Sequence, residues 1–219
     1  MSYEFKDYPT VTVAGKRYYK LSEDCLYPSV TSVLGETVAP EKKASLEAWR
    51  NSLGTAKADK ETKRCGDRGT MLHLMLEQYL KGEEINVPGA SHVEWAMFNG
   101  MKPKLRKIDE VIGQEVVLYS HGLEIAGRCD LIARYNGELC IVDFKTSTNI
   151  KDDKKIEDYK YQLCAYSVCF QEMFNEDIKT GVILMGVENA FPLEFKVPLD
   201  PYIPKLFHRV EKFYATLKI

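Results

Sequence analysis

Asp130, Asp143 and Lys145 are the residues of this chain whose types and spacing best suit chemistry. They flank Asn136-Gly137, inside the stretch Gly127-Arg-Cys-Asp-Leu-Ile-Ala-Arg-Tyr-Asn-Gly-Glu-Leu-Cys-Ile-Val-Asp-Phe-Lys145. Asn-Gly between two apolar runs is the strongest short hairpin signal. A two-residue turn there places Asp130 directly opposite Asp143. Lys145, two residues on, shares their face. Directly opposed side chains sit about 4.5–5.5 Å apart at Cβ, close enough for two carboxylates to repel. A cation between them removes that cost. Two acids for a hard metal ion beside a lysine is a set suited to cutting a phosphodiester. The alternative is a pair of ordinary surface ion pairs with Arg128 and Lys145. The apolar run Leu139-Cys-Ile-Val142 ahead of Asp143 speaks against a solvated acid.

The elements that must position these residues follow from periodicity. On the hairpin, alternation puts Arg128, Ile132, Arg134, Leu139 and Ile141 with the acids. Cys129, Leu131, Ala133, Cys140, Val142 and Phe144 form the opposite, core face. Strands are predicted at 112–119, 123–135 (bulged near Gly127), 138–145, 181–187 and 192–197. Residues 3–20 read as β-rich. Residues 27–34 read as a loop into a short helix capped by Ser29 or Thr31. Helices are predicted over 41–65, with Leu46, Trp49 and Leu53 on one stripe, and over 71–80, opened by Gly69-Thr70 and stopped at Gly82. Others cover 91–107, 156–173 and 202–217. The implied fold is α+β, a mixed central sheet flanked by helices. It forms one domain over 1–219, with a β/helical N-terminal region (1–110) and a core (111–219).

Two helices add polar pairs at i, i+4. His73 and Glu77 edge the stripe of Leu72, Met75, Leu76 and Tyr79; a neutral imidazole can complete an oxygen-rich metal site, with Glu77 holding its ring. Gln162 and Tyr166, beside Tyr159, can meet a phosphate or a base. Taken alone, each pair is as well explained by packing or surface stabilisation.

Composition narrows the classes. The 45% hydrophobic and 11% aromatic content is that of a globular protein. A net charge of −2 argues against coating duplex DNA by bulk electrostatics. Residues 41–68 hold eight Lys or Arg against five Asp or Glu, with Lys63, Arg64 and Arg68 nearest the histidine helix. On charge alone a solvated helical surface is the better explanation of this excess. No apolar run is long enough to span a bilayer, and the N-terminus lacks the features of a signal or transit peptide, so a cytoplasmic setting is expected. Six cysteines occur without a Cys-x-x-Cys pair, which predicts reduced, buried thiols rather than a zinc site.

Together these residues resemble a family. Asp130 followed by Asp143-Phe-Lys145 resembles the PD-(D/E)XK nuclease core. Gln162-Leu-Cys-Ala-Tyr166 is similar to the Gln-x-x-x-Tyr signature of its RecB-like branch, and Gly69-Thr-Met-Leu-His73 to that branch's histidine motif. Pro28-Ser-Val-Thr31-Ser-Val-Leu34, with Thr37 and Trp49, is similar to the mitochondrial genome maintenance exonucleases and their phage relatives. The resemblance implies that His73, Asp130, Asp143 and the Phe144 carbonyl hold Mg²⁺ or Mn²⁺. It implies that Lys145 orients water or stabilises the transition state, and that Gln162 and Tyr166 shape the DNA path. Glu115 resembles an acid on the preceding strand. A two-residue turn at His121-Gly122 would set it opposite Arg128, where a plain ion pair explains it as well. No iron–sulfur cluster is expected, because the last cysteine, Cys169, follows Tyr166 by three residues.

The expected activity is a metal-dependent deoxyribonuclease, an exonuclease on single-stranded ends that works in DNA processing, repair or recombination in a bacterial or phage-infected cell. The helices before the hairpin, with the 41–68 cations, would line the strand's path. The alternatives are a flap or branch endonuclease using the same site, and a nuclease-like module that only binds DNA or a protein.

Overall fold

The computed structural model describes residues 3–217. A small antiparallel sheet comes first, from β1 (Thr10–Val13), β2 (Lys16–Lys20) and β3 (Leu26–Pro28). Next come α1 (Val30–Glu36), α2 (Pro40–Leu53), α3 (Thr55–Leu80) and α4 (His92–Leu105). The core sheet follows as β4 (Ile108–Ser120), β5 (Ile125–Tyr135), β6 (Glu138–Ser147), α5 (Glu157–Phe174), β7 (Thr180–Val187) and β8 (Leu193–Pro198); α6 (Ile203–Leu217) closes the chain. Strand order is β4-β5-β6-β7-β8, with β6 and β7 parallel and the other neighbours antiparallel. The parallel pair needs a crossover, and α5 supplies it. The chain thus has the expected α+β fold, a mixed five-stranded sheet between helices. No helix among the described residues is long and apolar enough to cross a membrane.

Local chemistry accounts for most element ends. Asn136 and Gly137 take φ of 51° and 79°, the positive pair that a two-residue hairpin requires. Ser29 caps α1, its Oγ accepting from the Ser32 N–H. Ser91 and Glu94 form a capping box at α4. Gly69-Thr70, however, does not open a helix. α3 begins at Thr55 and runs through both residues. The break falls at Gly54, whose φ of 79° only glycine adopts without strain. Inside α3, Gly69 faces Thr146 of β6 with room to spare: a Cβ there would lie 3.8 Å from Thr146 Oγ1, an ordinary contact.

The hairpin is covered on both faces rather than one. Ile132 and Ile141 pack in the core under α5 and α6, and Leu131, Val142 and Phe144 pack in the core under α3 and α4. Strict alternation also fails on β5: Cys129 joins the Ile132 side, not the Leu131 side. The β-bulge expected near Gly127 is absent from its ladder, where Gly127 pairs regularly with Leu118. Gly127 serves close packing instead. A Cβ there would come within 2.8 Å of the Tyr166 ring.

Candidate active site

The β5–β6 register is the one the Asn-Gly turn dictates, from Tyr135↔Glu138 to Leu131↔Val142. It stops one pair short of Asp130 and Asp143, which are therefore not ladder partners. The strands part there, and the Phe144 N–H donates to Asp130 Oδ2 at 2.8 Å. A side chain has replaced a backbone acceptor, which fixes Asp130 beside Phe144 within β6.

The preceding strand bends at the same level. The β4–β5 loop holds four residues, since Ser120 pairs with Ile125, so Arg128 faces Val117 rather than Glu115. Glu115 falls at the level of Asp130, between the pairs Gln114↔Leu131 and Val116↔Cys129. Its φ of 53° is left-handed, uncommon for a residue other than glycine. Ligand atoms of His73, Glu115 and Asp130 lie within 4.8 Å of one another. The expected Glu115–Arg128 carboxylate pair does not form; Arg128 donates to the Glu115 main-chain carbonyl.

His73 reaches this cluster from α3. Its Nε2 donates to the Phe144 carbonyl at 2.9 Å, leaving Nδ1 on the Asp130 side at 3.8 Å from Oδ2. Glu77 does not orient the ring; it pairs with Lys81 at 2.6 Å. Asp143 is fully buried, and its Oδ1 accepts from Lys145 Nζ at 2.6 Å. Its Oδ2 lies 2.5 Å from the same nitrogen without hydrogen-bond geometry, so it is otherwise unpartnered.

Electrostatics reflects this crowding. Burial and the neighbouring Asp130 push Glu115 up to about 7. Burial, opposed by Lys145, raises Asp143 to about 6. Burial alone would lower Lys145, but Asp143 and Asp130 hold it above its usual value. Three carboxylates thus converge with one lysine and one imidazole. An oxygen-rich set with one nitrogen, one unpartnered buried oxygen and raised carboxylates fits a hard divalent cation such as Mg²⁺ or Mn²⁺. Three of the four sequence-predicted ligands, His73, Asp130 and the Phe144 carbonyl, come together. Asp143 stands beside them, turned to Lys145. Glu115 completes the carboxylate group.

The expected nucleic-acid contacts fare differently. Tyr166 is 2% exposed, packed on Gly127 and accepting from Gln162 Nε2 at 3.2 Å, so it presents no ring for a base. Lys63 pairs with Asp67 at 2.6 Å, and Arg64 with Glu61 at 2.7 Å and Glu188 at 2.6 Å. Arg68 is 3% exposed and also bound to Glu188. The sequence reading passed over Lys151 and Lys154, although the run Lys151-Asp-Asp-Lys-Lys155 displays them. Neither has a carboxylate partner among the described residues. Lys151 donates to the Tyr159 hydroxyl at 2.8 Å, and the Tyr159 ring lies 5.2 Å from Lys145 Nζ.

The chain is similar to several known proteins. Mitochondrial genome maintenance exonuclease 1 of Mus musculus is 27% identical over 172 residues, 75% of this chain and 51% of its own. That of Homo sapiens is 24% identical over 173 residues, 75% and 50%. The chain spans about half the length of these curated relatives. The crystal structure of SSO0001 aligns with 90% of this chain and 78% of its own at 21% identity, with a TM-score of 0.47. The family model of the PD-(D/E)XK nuclease superfamily matches residues 48–197, which contain His73, Glu115, Asp130, Asp143 and Lys145, and the chain belongs to that superfamily.

Proposed function

We propose that this protein is a divalent-metal-dependent deoxyribonuclease that degrades single-stranded DNA from a free end. The observation that carries the reading is the convergence of His73, Glu115 and Asp130 donors within 4.8 Å, beside the buried Asp143–Lys145 pair. Nucleases of this superfamily use divalent ions. Here His73, Asp130, Asp143 and Glu115 would hold Mg²⁺ or Mn²⁺, which lowers the pKa of bound water and neutralises phosphate charge. The chain's own residues do the rest. The Phe144 carbonyl sets the His73 tautomer, and the Phe144 N–H holds Asp130 in place. Asp143 keeps Lys145 charged and aimed, so its Nζ can donate to the oxygen that gains charge as the P–O bond breaks.

Support for a single strand comes from a groove next to this site. On α2, Leu46 and Leu53 are 57% and 39% exposed, and with the half-buried Trp49 they form one stripe on a helix that has no fully buried residue. The stripe, Lys57, Glu61, Thr62 and Cys65 of α3, and Thr148-Asn149 line a cavity of about 700 Å³, in which Arg64 already pairs with Glu61. Thr148, Asn149 and Cys65 also border a second cavity, which Lys151 and Lys155 share and which reaches Thr146, the residue after Lys145. An apolar shelf facing lysines suits unpaired bases stacked on one side and phosphates on the other. The relatives' name, exonuclease, supports action from an end. Incubating end-labelled linear single strands, closed single-stranded circles and blunt duplex with Mg²⁺ or Mn²⁺ tests this. Linear single strands should be degraded while circles and duplex persist. Rapid cutting of circles would reject the end requirement and favour a flap or branch endonuclease.

A further inference from the structure

Glu115 sits in a conformation that needs an external hold. It is left-handed inside a thirteen-residue strand, at a level the ladder skips. Its main-chain carbonyl accepts from Arg128 Nη1. The other terminal nitrogen of Arg128 donates to Asp7 Oδ1 at 2.5 Å. Asp7 is itself placed by its neighbours along β4. The Phe5 ring fills the space that a side chain at Gly113 would occupy, with a Cβ there only 2.8 Å away. Tyr8 packs edge-on against Tyr119 at 5.8 Å. The segment before β1 thus closes Arg128 onto the bend of β4.

We propose that Arg128, secured by Asp7, is a positioning residue that holds Glu115 in its left-handed conformation and so aims its carboxylate at His73 and Asp130. The inference rests on the metal-site reading above. It gives Arg128 a role that needs no DNA: from β5 the guanidinium reaches the Glu115 carbonyl on β4 and Asp7 in the N-terminal strap. Planar, two-sided donation is something arginine offers and lysine does not.

The test is Mn²⁺ binding by calorimetry on the DNA-free full chain, run as a cycle of Arg128→Ala, Glu115→Gln and the double variant. Residues that support metal ligands typically cost 10- to 100-fold in affinity when lost, so Arg128→Ala should weaken Mn²⁺ binding on the order of 10-fold. In the Glu115→Gln background the same change should have less than about a two-fold effect, because effects through a shared residue do not add. Arg128→Lys and Asp7→Asn, milder variants, should fall between wild type and Arg128→Ala and cover a failure of the alanine variant to fold. An unchanged Mn²⁺ affinity in folded Arg128 variants overturns the proposal, as does equal weakening with and without Glu115. Wild-type chain that takes up no Mn²⁺ would remove the metal-site reading as well. Wild-type uptake with an additive cycle would remove only the role of Arg128.

Discussion

Along the middle of α3, charges satisfy one another: Lys63 meets Asp67, and Arg64 meets Glu61 and Glu188. Arg64 holds Glu61 down to about 2, and the two glutamates in turn raise Arg64. Midway along β4, β5 and β6 the balance is opposite. Glu115, Asp130 and Asp143 gather around one lysine and one imidazole, and burial raises two of the acids instead of lowering them. The difference separates charge that stabilises a surface from charge held ready for a ligand. Exposed matched pairs are worth about 0–1 kcal/mol each. Buried carboxylates without matching cations cost stability, and a bound divalent ion repays it.

Breaking the unmatched side should have the largest effect. Asp130→Ala and Asp143→Ala should each abolish cleavage while DNA binding survives, because each removes a charged donor but no phosphate contact. Assays of cleavage and of anisotropy with labelled oligonucleotide separate the two; substantial Mg²⁺-dependent cutting by either folded variant would sink the assigned site. Lys145→Ala should slow turnover roughly 10²–10³-fold, the scale for losing one transition-state donor. Mn²⁺ affinity should not fall, since lysine is not a ligand; a collapse in calorimetry would make Lys145 a structural counter-ion.

Unmatched and matched cations can be compared directly. Lys151→Ala, which removes an unmatched cation of the groove, should weaken single-strand binding and reduce its salt slope by about 0.7, the loss of one phosphate contact. Lys63→Ala with Arg64→Ala should leave that slope nearly unchanged, because both cations are already engaged. The reverse result would return the strand to the exposed face of α3.

The smallest effect concerns pH. Glu115 at about 7 and Asp143 at about 6 keep protons that their ordinary values of 4.5 and 3.8 would release. The native state then binds more protons than the unfolded chain, so their contribution to stability falls as pH rises through the range between those values. Metal-free Glu115→Gln should show a shallower decline in Tm between about pH 4.5 and about pH 7 than wild type. A parallel decline would mean that Glu115 does not carry the shift.

What was legible in the sequence was local. Asn136-Gly137 determines its own register, so the neighbourhood of Asp130, Asp143 and Lys145 could be read directly, as could His73 on its helix. The last step, the parting of the strands at Asp130, depends on a side chain taking a ladder position. Glu115 was harder. Its place depends on a four-residue loop, where a two-residue turn would set it against Arg128, and on a left-handed bend that no residue type announces. Tyr166 was misplaced because helical spacing does not tell a buried tyrosine from a stacking one; the glycine beneath it, Gly127, was the available clue. The pairing of the α3 cations is not visible to a charge count, because Glu188, which engages two of them, lies 120 or more residues away. Trp49 lay on a recognisable stripe, but nothing local said that the stripe would remain uncovered.

The central claim is that the acids gathered where the β5–β6 ladder stops serve a divalent ion in DNA cleavage. It is tested most directly by following release from end-labelled linear single-stranded DNA, first in EDTA and then after Mg²⁺ or Mn²⁺ is restored. Wild-type protein should release no product in EDTA and resume degradation when the ion returns. Cleavage that persists in EDTA, or fails to appear with either ion, would contradict it.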